Sequence, residues 1–137
     1  WELHVIGNGS LKNSLKKISG IKVKDFMQPK KLISEILKAG CFILPSRKEP
    51  WGVIVHEMAA SGLPLIVSDV VGSRSTFLIH DHNGFLFKSE DSFSLSIFMK
   101  KIINMSDKNL KSMCLASLNM SNRITPTTSA KNLLSIK

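Results

Sequence analysis

Two glutamates, Glu49 and Glu57, are separated by seven residues in a chain with only ten acidic residues and a formal net charge of +9. Pro50, Trp51 and Gly52 lie between them, followed by Val53-Ile54-Val55-His56. A carboxylate accepts hydrogen bonds and suits a pair of vicinal hydroxyls. A helix opening at Gly52 starts with N–H groups that have no intrahelical partner, and its dipole favours an anion there. Gly52 has no Cβ, so an anionic group can come close to the backbone. Helical rise puts the two glutamates on the order of 10–12 Å apart. This layout fits a ligand with hydroxyls at both ends and phosphate in the middle, as in a nucleotide diphosphate sugar. The plain alternative is that both glutamates are exposed helix-end residues and Pro50 is ordinary helix-start chemistry.

The flanking elements decide where this loop sits. Cys41-Phe42-Ile43-Leu44 is a continuous apolar run, as expected of a strand buried on both faces, and Pro45-Ser46 ends it. Residues 52 to 61 read as a helix stopped by Gly62 and Pro64, with small residues at Ala59-Ala60-Ser61 for close packing. Leu65-Ile66-Val67 is the next strand and leads into Ser68-Asp69-Val70-Val71-Gly72, a second loop on the same sheet edge. Upstream, Leu3 to Ile6 reads as a strand ending at Gly7-Asn8-Gly9. Ser10 is the expected N-cap of a helix carrying Leu11, Leu15 and Ile18, closed by Gly20. Ile21 to Val23 is a second strand. Pro29 begins a helix with the stripe Leu32, Ile33, Ile36 and Leu37, closed by Gly40. Downstream come a strand at Gly84 to Phe87 and helices around 91–103 and 107–120. A loop over Ser121–Ser129 follows, then a terminal helix over 129–136. Strands and helices alternate throughout. The order predicts an α/β fold, a Rossmann-like parallel sheet with helices on both faces. An open sheet of this kind binds ligands at the carboxyl ends of its strands, where Glu49 falls.

A chain of 137 residues accommodates a single domain with a core, and 43% hydrophobic content fits a globular protein. No apolar run approaches the roughly 18 residues of a membrane span, and Trp1 opens on a strand-like pattern without a charged leader. Cys41 and Cys114 allow at most one disulfide, and Cys41, inside an apolar run, is expected to be a buried free thiol in a reducing compartment. The nineteen Lys and Arg residues and a pI near 9.8 suit nucleic acid, an anionic membrane or a phosphorylated small molecule, or a simple solvated surface. Nucleic acid is disfavoured: the chain has no Tyr, no aromatic residues interleaved with its lysines and no zinc or recognition-helix motif.

Leu44-Pro45-Ser46, Glu49-Pro50-Trp51-Gly52-Val53, Glu57-Met58-Ala59, Gly62-Leu63-Pro64, Ser68-Asp69 and Asn83-Gly84-Phe85 occur in that order. Together they resemble the C-terminal, donor-nucleotide-binding domain of retaining GT-B glycosyltransferases of the Glu-x7-Glu group. Leu3-His4-Val5-Ile6-Gly7-Asn8-Gly9 resembles that domain's second strand and its Gly-x-Gly turn. The match covers residues 1 to about 120. The resemblance implies that Glu49 contacts the donor sugar's hydroxyls and holds it for reaction. It implies that Gly52 and Val53 offer backbone N–H groups to the donor phosphates, and that Glu57 accepts from the ribose hydroxyls. Gly7 and Gly9 would shape the turn near the donor. It further implies a UDP- or GDP-linked sugar donor, a saccharide or lipid-linked acceptor, and no metal or other cofactor. Three positions depart from the family pattern. Phe26-Met27 stands where many members carry Gly, Thr76 or Ser75 where many carry Glu, and Trp51 where Phe is usual. On this resemblance residues 1–137 are a partial domain. The domain's first strand and the N-terminal acceptor-binding domain are expected upstream, and the piece alone is expected to be inactive in sugar transfer. The implied setting is cytoplasmic polysaccharide synthesis, with peripheral contact at the anionic inner face of the membrane.

Other candidate groups carry less. His80-Asp81-His82 lacks a third metal ligand at suitable spacing. His56 points away from its neighbour Glu57 and reads as structural or peripheral to the donor site. Asp69 reads as a cap for the next turn. Arg47, Lys48 and Arg74 are phosphate-assisting or solvated. No Ser/His/Asp order or reactive Cys-His pair is present. The competing functions are a non-catalytic basic α/β module binding nucleotides or other anions, and a lysine-driven membrane-docking domain.

Overall fold

A computed structural model describes residues 1–135. The chain divides into two compact units, Trp1–Lys38 and Ala39–Lys137. The first unit contains β1 (Leu3–Ile6), α1 (Lys12–Leu15), β2 (Ile21–Lys24) and α2 (Pro29–Ile36). β1 and β2 pair in parallel, with Val5 opposite Val23. None of this unit's residues is fully buried. Its acidic residues are held by lysines: Asp25 by Lys12, Glu2 by Lys22, and Glu35 by Lys24.

The helix expected after Gly9 is a single turn. Its N-cap is Leu11, with no side-chain cap bond, so Ser10 does not cap it, and it ends well before Gly20. Leu11 and Ile18 stay exposed. Without a buried face to stabilise it, a short stretch containing Asn13 and Ser14 does not extend into a longer helix. α2 starts at Pro29 as expected, but stops at Ile36 with Leu37 as its C-cap, so Gly40 does not close it. Leu37 is exposed, so the stripe has no buried contact there to prolong the helix.

The second unit contains β3 (Phe42–Leu44), α3 (Val53–Ala60), β4 (Leu65–Ser68), α4 (Arg74–Phe77), β5 (Gly84–Phe87), α5 (Ser92–Ile103), α6 (Asp107–Ser121) and α7 (Pro126–Leu134). Its parallel sheet runs in the order β3-β4-β5. β4 is buried along its whole length, as a strand covered on both faces must be. One face packs Ile66, Phe85, Phe87, Ile102 and Met113 into a core. Val55, Met58 and Ala59 form the buried side of α3, which packs against α6. β3 is only half-buried, contrary to the sequence expectation, because it pairs on one side alone within its sheet.

α7 begins at Pro126, three residues before the expected start. Proline fits there because the first helical N–H needs no partner, and Thr125 and Thr128 form a reciprocal capping box. Residue 136, the expected end of this helix, lies outside the described residues. No helix among the described residues is long and apolar enough to cross a membrane.

Candidate functional site

The Glu49 loop leaves the carboxyl end of β3 and enters α3 through Gly52. Gly52 is the N-cap, at φ 82° and ψ 66°, a left-handed conformation that glycine adopts without steric cost. Gly52 is buried. A Cβ there would lie 3.0 Å from Val71 Cγ1 and 3.1 Å from Glu49 Cγ. Glu49 is half-buried beside it, and its backbone forms a parallel bridge with Val71.

The loop after β4 lies directly against this segment. Gly72 N–H donates to Glu49 O at 3.1 Å, and Ser73 N–H donates to Trp51 O at 2.8 Å. The buried Ser73 hydroxyl donates to Gly52 O at 3.0 Å. A Cβ on Gly72 would lie 2.0 Å from Pro50 O, so only glycine permits this approach. Val71 and Gly72 belong to the second sheet-edge loop that the sequence indicates, but their contact with the Glu49 segment and the part of Ser73 do not show in the sequence. The one available signal was a glycine closing a β-branched run on the same sheet edge.

Val53 and Glu57 lie on the exposed side of α3, four residues apart and so on one stripe. Side chains on a helix lean toward its N-terminus, so Glu57 inclines toward the end where the first-turn N–H groups are free. Glu49, Gly52 and Val53 are thus gathered at the mouth of α3, with Glu57 one turn along. Gly7 and Gly9 belong to the first unit. Gly7 N–H donates to Lys24 O at 3.0 Å, tying the end of β1 to β2, and Gly9 O accepts from Lys12 N–H at 3.1 Å.

Five of the remaining candidates, His56, Asp69, Arg47, Arg74 and His80, have structural partners. His56 stacks on Phe77 with ring centroids 4.3 Å apart and bonds Ser121 O at 3.0 Å. Asp69 accepts from Ser89 N–H at 2.8 Å, so it ties the loop after β4 to the loop after β5 rather than capping the next turn. The expectation failed because strands adjacent in the sheet bring residue 89 closer to its carboxylate than the following turn. Arg47 pairs with Glu90 at 3.0 Å, and Arg74 donates to Val71 O at 3.0 Å. His80 accepts from Leu86 N–H at 3.0 Å and lies edge-on to Phe85 and Phe98. Among the described residues no three His, Cys, Asp or Glu side chains converge as a metal site. Both cysteines are free, and burial pushes the Cys41 thiol up to about 12.

Residues 1–114 match the family model for glycosyl transferases group 1. The chain belongs to that family. Its fold is that of the Rossmann-like C-terminal domain of GT-B enzymes. Sucrose-phosphate synthase from Thermosynechococcus elongatus superposes with a TM-score of 0.78 at 16% identity, over 99% of this chain and 39% of that one. The pneumococcal O-GlcNAc transferase GtfA, solved with UDP and GlcNAc, gives 0.78 at 22% identity, over 96% of this chain and 28% of that one. The lipopolysaccharide outer core galactosyltransferase WaaB gives 0.78 at 19% identity, over 97% and 39%. The chain therefore spans between 28% and 39% of the length of these solved proteins. No curated protein matches it.

Proposed function

We propose that this group 1 glycosyltransferase chain is the donor-binding part of a retaining enzyme. In that reading the whole enzyme transfers a sugar from a UDP- or GDP-linked donor to a saccharide or lipid-linked acceptor. The observation that carries the reading is the left-handed Gly52 cap. It lets Glu49 pack beside the mouth of α3 at the carboxyl end of β3, where the unpartnered first-turn N–H groups and the helix dipole favour an anion.

The chemistry follows from that placement. As the bond between the sugar's anomeric carbon and the diphosphate oxygen breaks, negative charge gathers on the leaving phosphate. The N–H groups of Gly52 and Val53 and the dipole of α3 stabilise it there, so the reaction requires no metal ion. Glu49 holds the sugar hydroxyls and Glu57 the ribose diol. Acceptor binding belongs to a second domain, so these 137 residues bind the donor without transferring its sugar. A cytoplasmic site of action, with the basic surface against anionic lipid, suits a lipid-linked acceptor.

Calorimetric titration with UDP and GDP tests the reading. Saturable binding, abolished in Glu57→Ala, is the expected result. Binding that ignores this substitution, extends to any polyanion and falls steeply with salt would instead assign the chain to general anion binding.

A further inference from the structure

We infer that Ser73 is a positioning residue that aims both phosphate-binding N–H groups of the donor loop. The inference rests on the donor-binding reading above and adds a residue that neither the sequence motif nor the family match assigns.

The argument starts from peptide geometry. A trans peptide is planar, and its C=O and N–H point in opposite directions. Fixing the carbonyl of one residue therefore fixes the direction of the next residue's N–H. Ser73 grips two consecutive carbonyls of the donor loop. Its backbone N–H donates to Trp51 O at 2.8 Å, which sets the peptide that carries the Gly52 N–H. Its hydroxyl donates to Gly52 O at 3.0 Å, which sets the peptide that carries the Val53 N–H. Gly52 O also accepts from Val55 N–H at 3.0 Å, so this carbonyl is held from inside the helix and from the neighbouring loop. Both N–H groups consequently point away from Ser73, out of the mouth of α3.

Ser73 can hold this position because its own segment is fixed. It is fully buried, and Gly72 before it packs against Pro50 O. Its carbonyl accepts from Thr76 and Phe77 N–H at 3.1 Å, which anchors it at the start of α4. Gly52 needs such a clamp more than other residues would. Its left-handed conformation is one of several that glycine visits freely, and the hydroxyl selects one of them.

Ser73→Ala tests the clamp, because it removes the hydroxyl and leaves the backbone N–H in place. One neutral hydrogen bond contributes about 1 kcal/mol, so UDP or GDP affinity should fall roughly five- to tenfold. Affinity for the nucleosides uridine and guanosine, which carry no phosphate, should not change. A merely structural role for Ser73 would weaken nucleoside and diphosphate alike. Ser73→Thr, which restores the hydroxyl, should recover most of the diphosphate preference. Amide spectra of the parent chain give a second measure: UDP should shift the Gly52 and Val53 resonances, and Ser73→Ala should shrink the Val53 shift. Equal diphosphate affinity in parent and Ser73→Ala overturns the clamp and leaves the donor reading standing. If the parent binds no nucleoside diphosphate, the donor reading fails and the clamp with it.

Discussion

Replacing Gly52 with alanine tests the architecture of the loop most directly. Two costs add. The cap sits at φ 82°, where an L-residue bearing a Cβ is disfavoured by about 1–2 kcal/mol. The new methyl would also lie 3.0 Å from Val71 Cγ1 and 3.1 Å from Glu49 Cγ. Val71 is fully buried and has little room to retreat, so crowding of this kind costs about 1 kcal/mol or more. Together they predict a loss of about 2–3 kcal/mol, which for a unit of about 100 residues lowers the melting temperature by roughly 8 °C or more. Glu49 is the softer neighbour and should swing away, so nucleotide affinity should fall further than stability alone explains. Thermal unfolding by circular dichroism, paired with UDP titration at a temperature where the variant is folded, reads both effects. Gly9→Ala is the control for the melting measurement alone, because a Cβ there meets nothing within 4 Å. A Gly52→Ala protein that melts with the parent and binds UDP equally well would refute the reasoning.

The remaining predictions concern the rest of the frame. The Glu35 carboxyl is held below its ordinary value of 4.5, first by the hydrogen bond from Lys24, with His4 and Lys38 assisting. Its stabilising contribution is therefore present above pH 4.5 and disappears as pH falls through the lowered value, so urea unfolding across the acid range should show a limb that Glu35→Gln flattens. Buried Asn83 accepts from Ile79 N–H at 2.7 Å and donates to Phe77 O at 2.8 Å and Ser117 Oγ at 3.4 Å. Asn83→Ala strands these partners and should cost about 2–4 kcal/mol in chemical unfolding, while a near-neutral result would mean that water replaces the side chain.

The strands were legible in the sequence because short apolar runs between turn residues have few other readings. β4 is the clearest case, since burial on both faces leaves no polar position until Ser68. Three helices of the second unit were equally plain, because α3, α5 and α6 have core faces to define their stripes, whereas the single turn α4 (Arg74–Phe77) is too short to show one. α1 was overread for the opposite reason. Its apolar spacing is helical, but Leu11 and Ile18 have no core to enter. Pro126 reads as a loop residue because proline disfavours helix interiors, although the first helical position accepts it. Within the site, Glu49, Gly52 and Glu57 stood out by residue type and spacing. Ser73 did not. It lies 21 residues from its partner Gly52, and a lone serine after a glycine carries no pattern until the fold brings the two loops together.

The uneven burial of the two units also bears on how the chain opens. Every β4 residue is sealed from solvent, whereas no residue of the first unit is. Amide hydrogen exchange should therefore be stratified. β4 amides should wait for global unfolding of their unit, while β1 and β2 should exchange through local fluctuations of much lower free energy. Gly7 and Gly9 sit in the fast-exchanging stratum, and Gly52 and Ser73 beside the slow one. A ligand that engages the Gly7–Gly9 turn would then reveal itself chiefly by slowing exchange in β1, where there is the most motion to suppress.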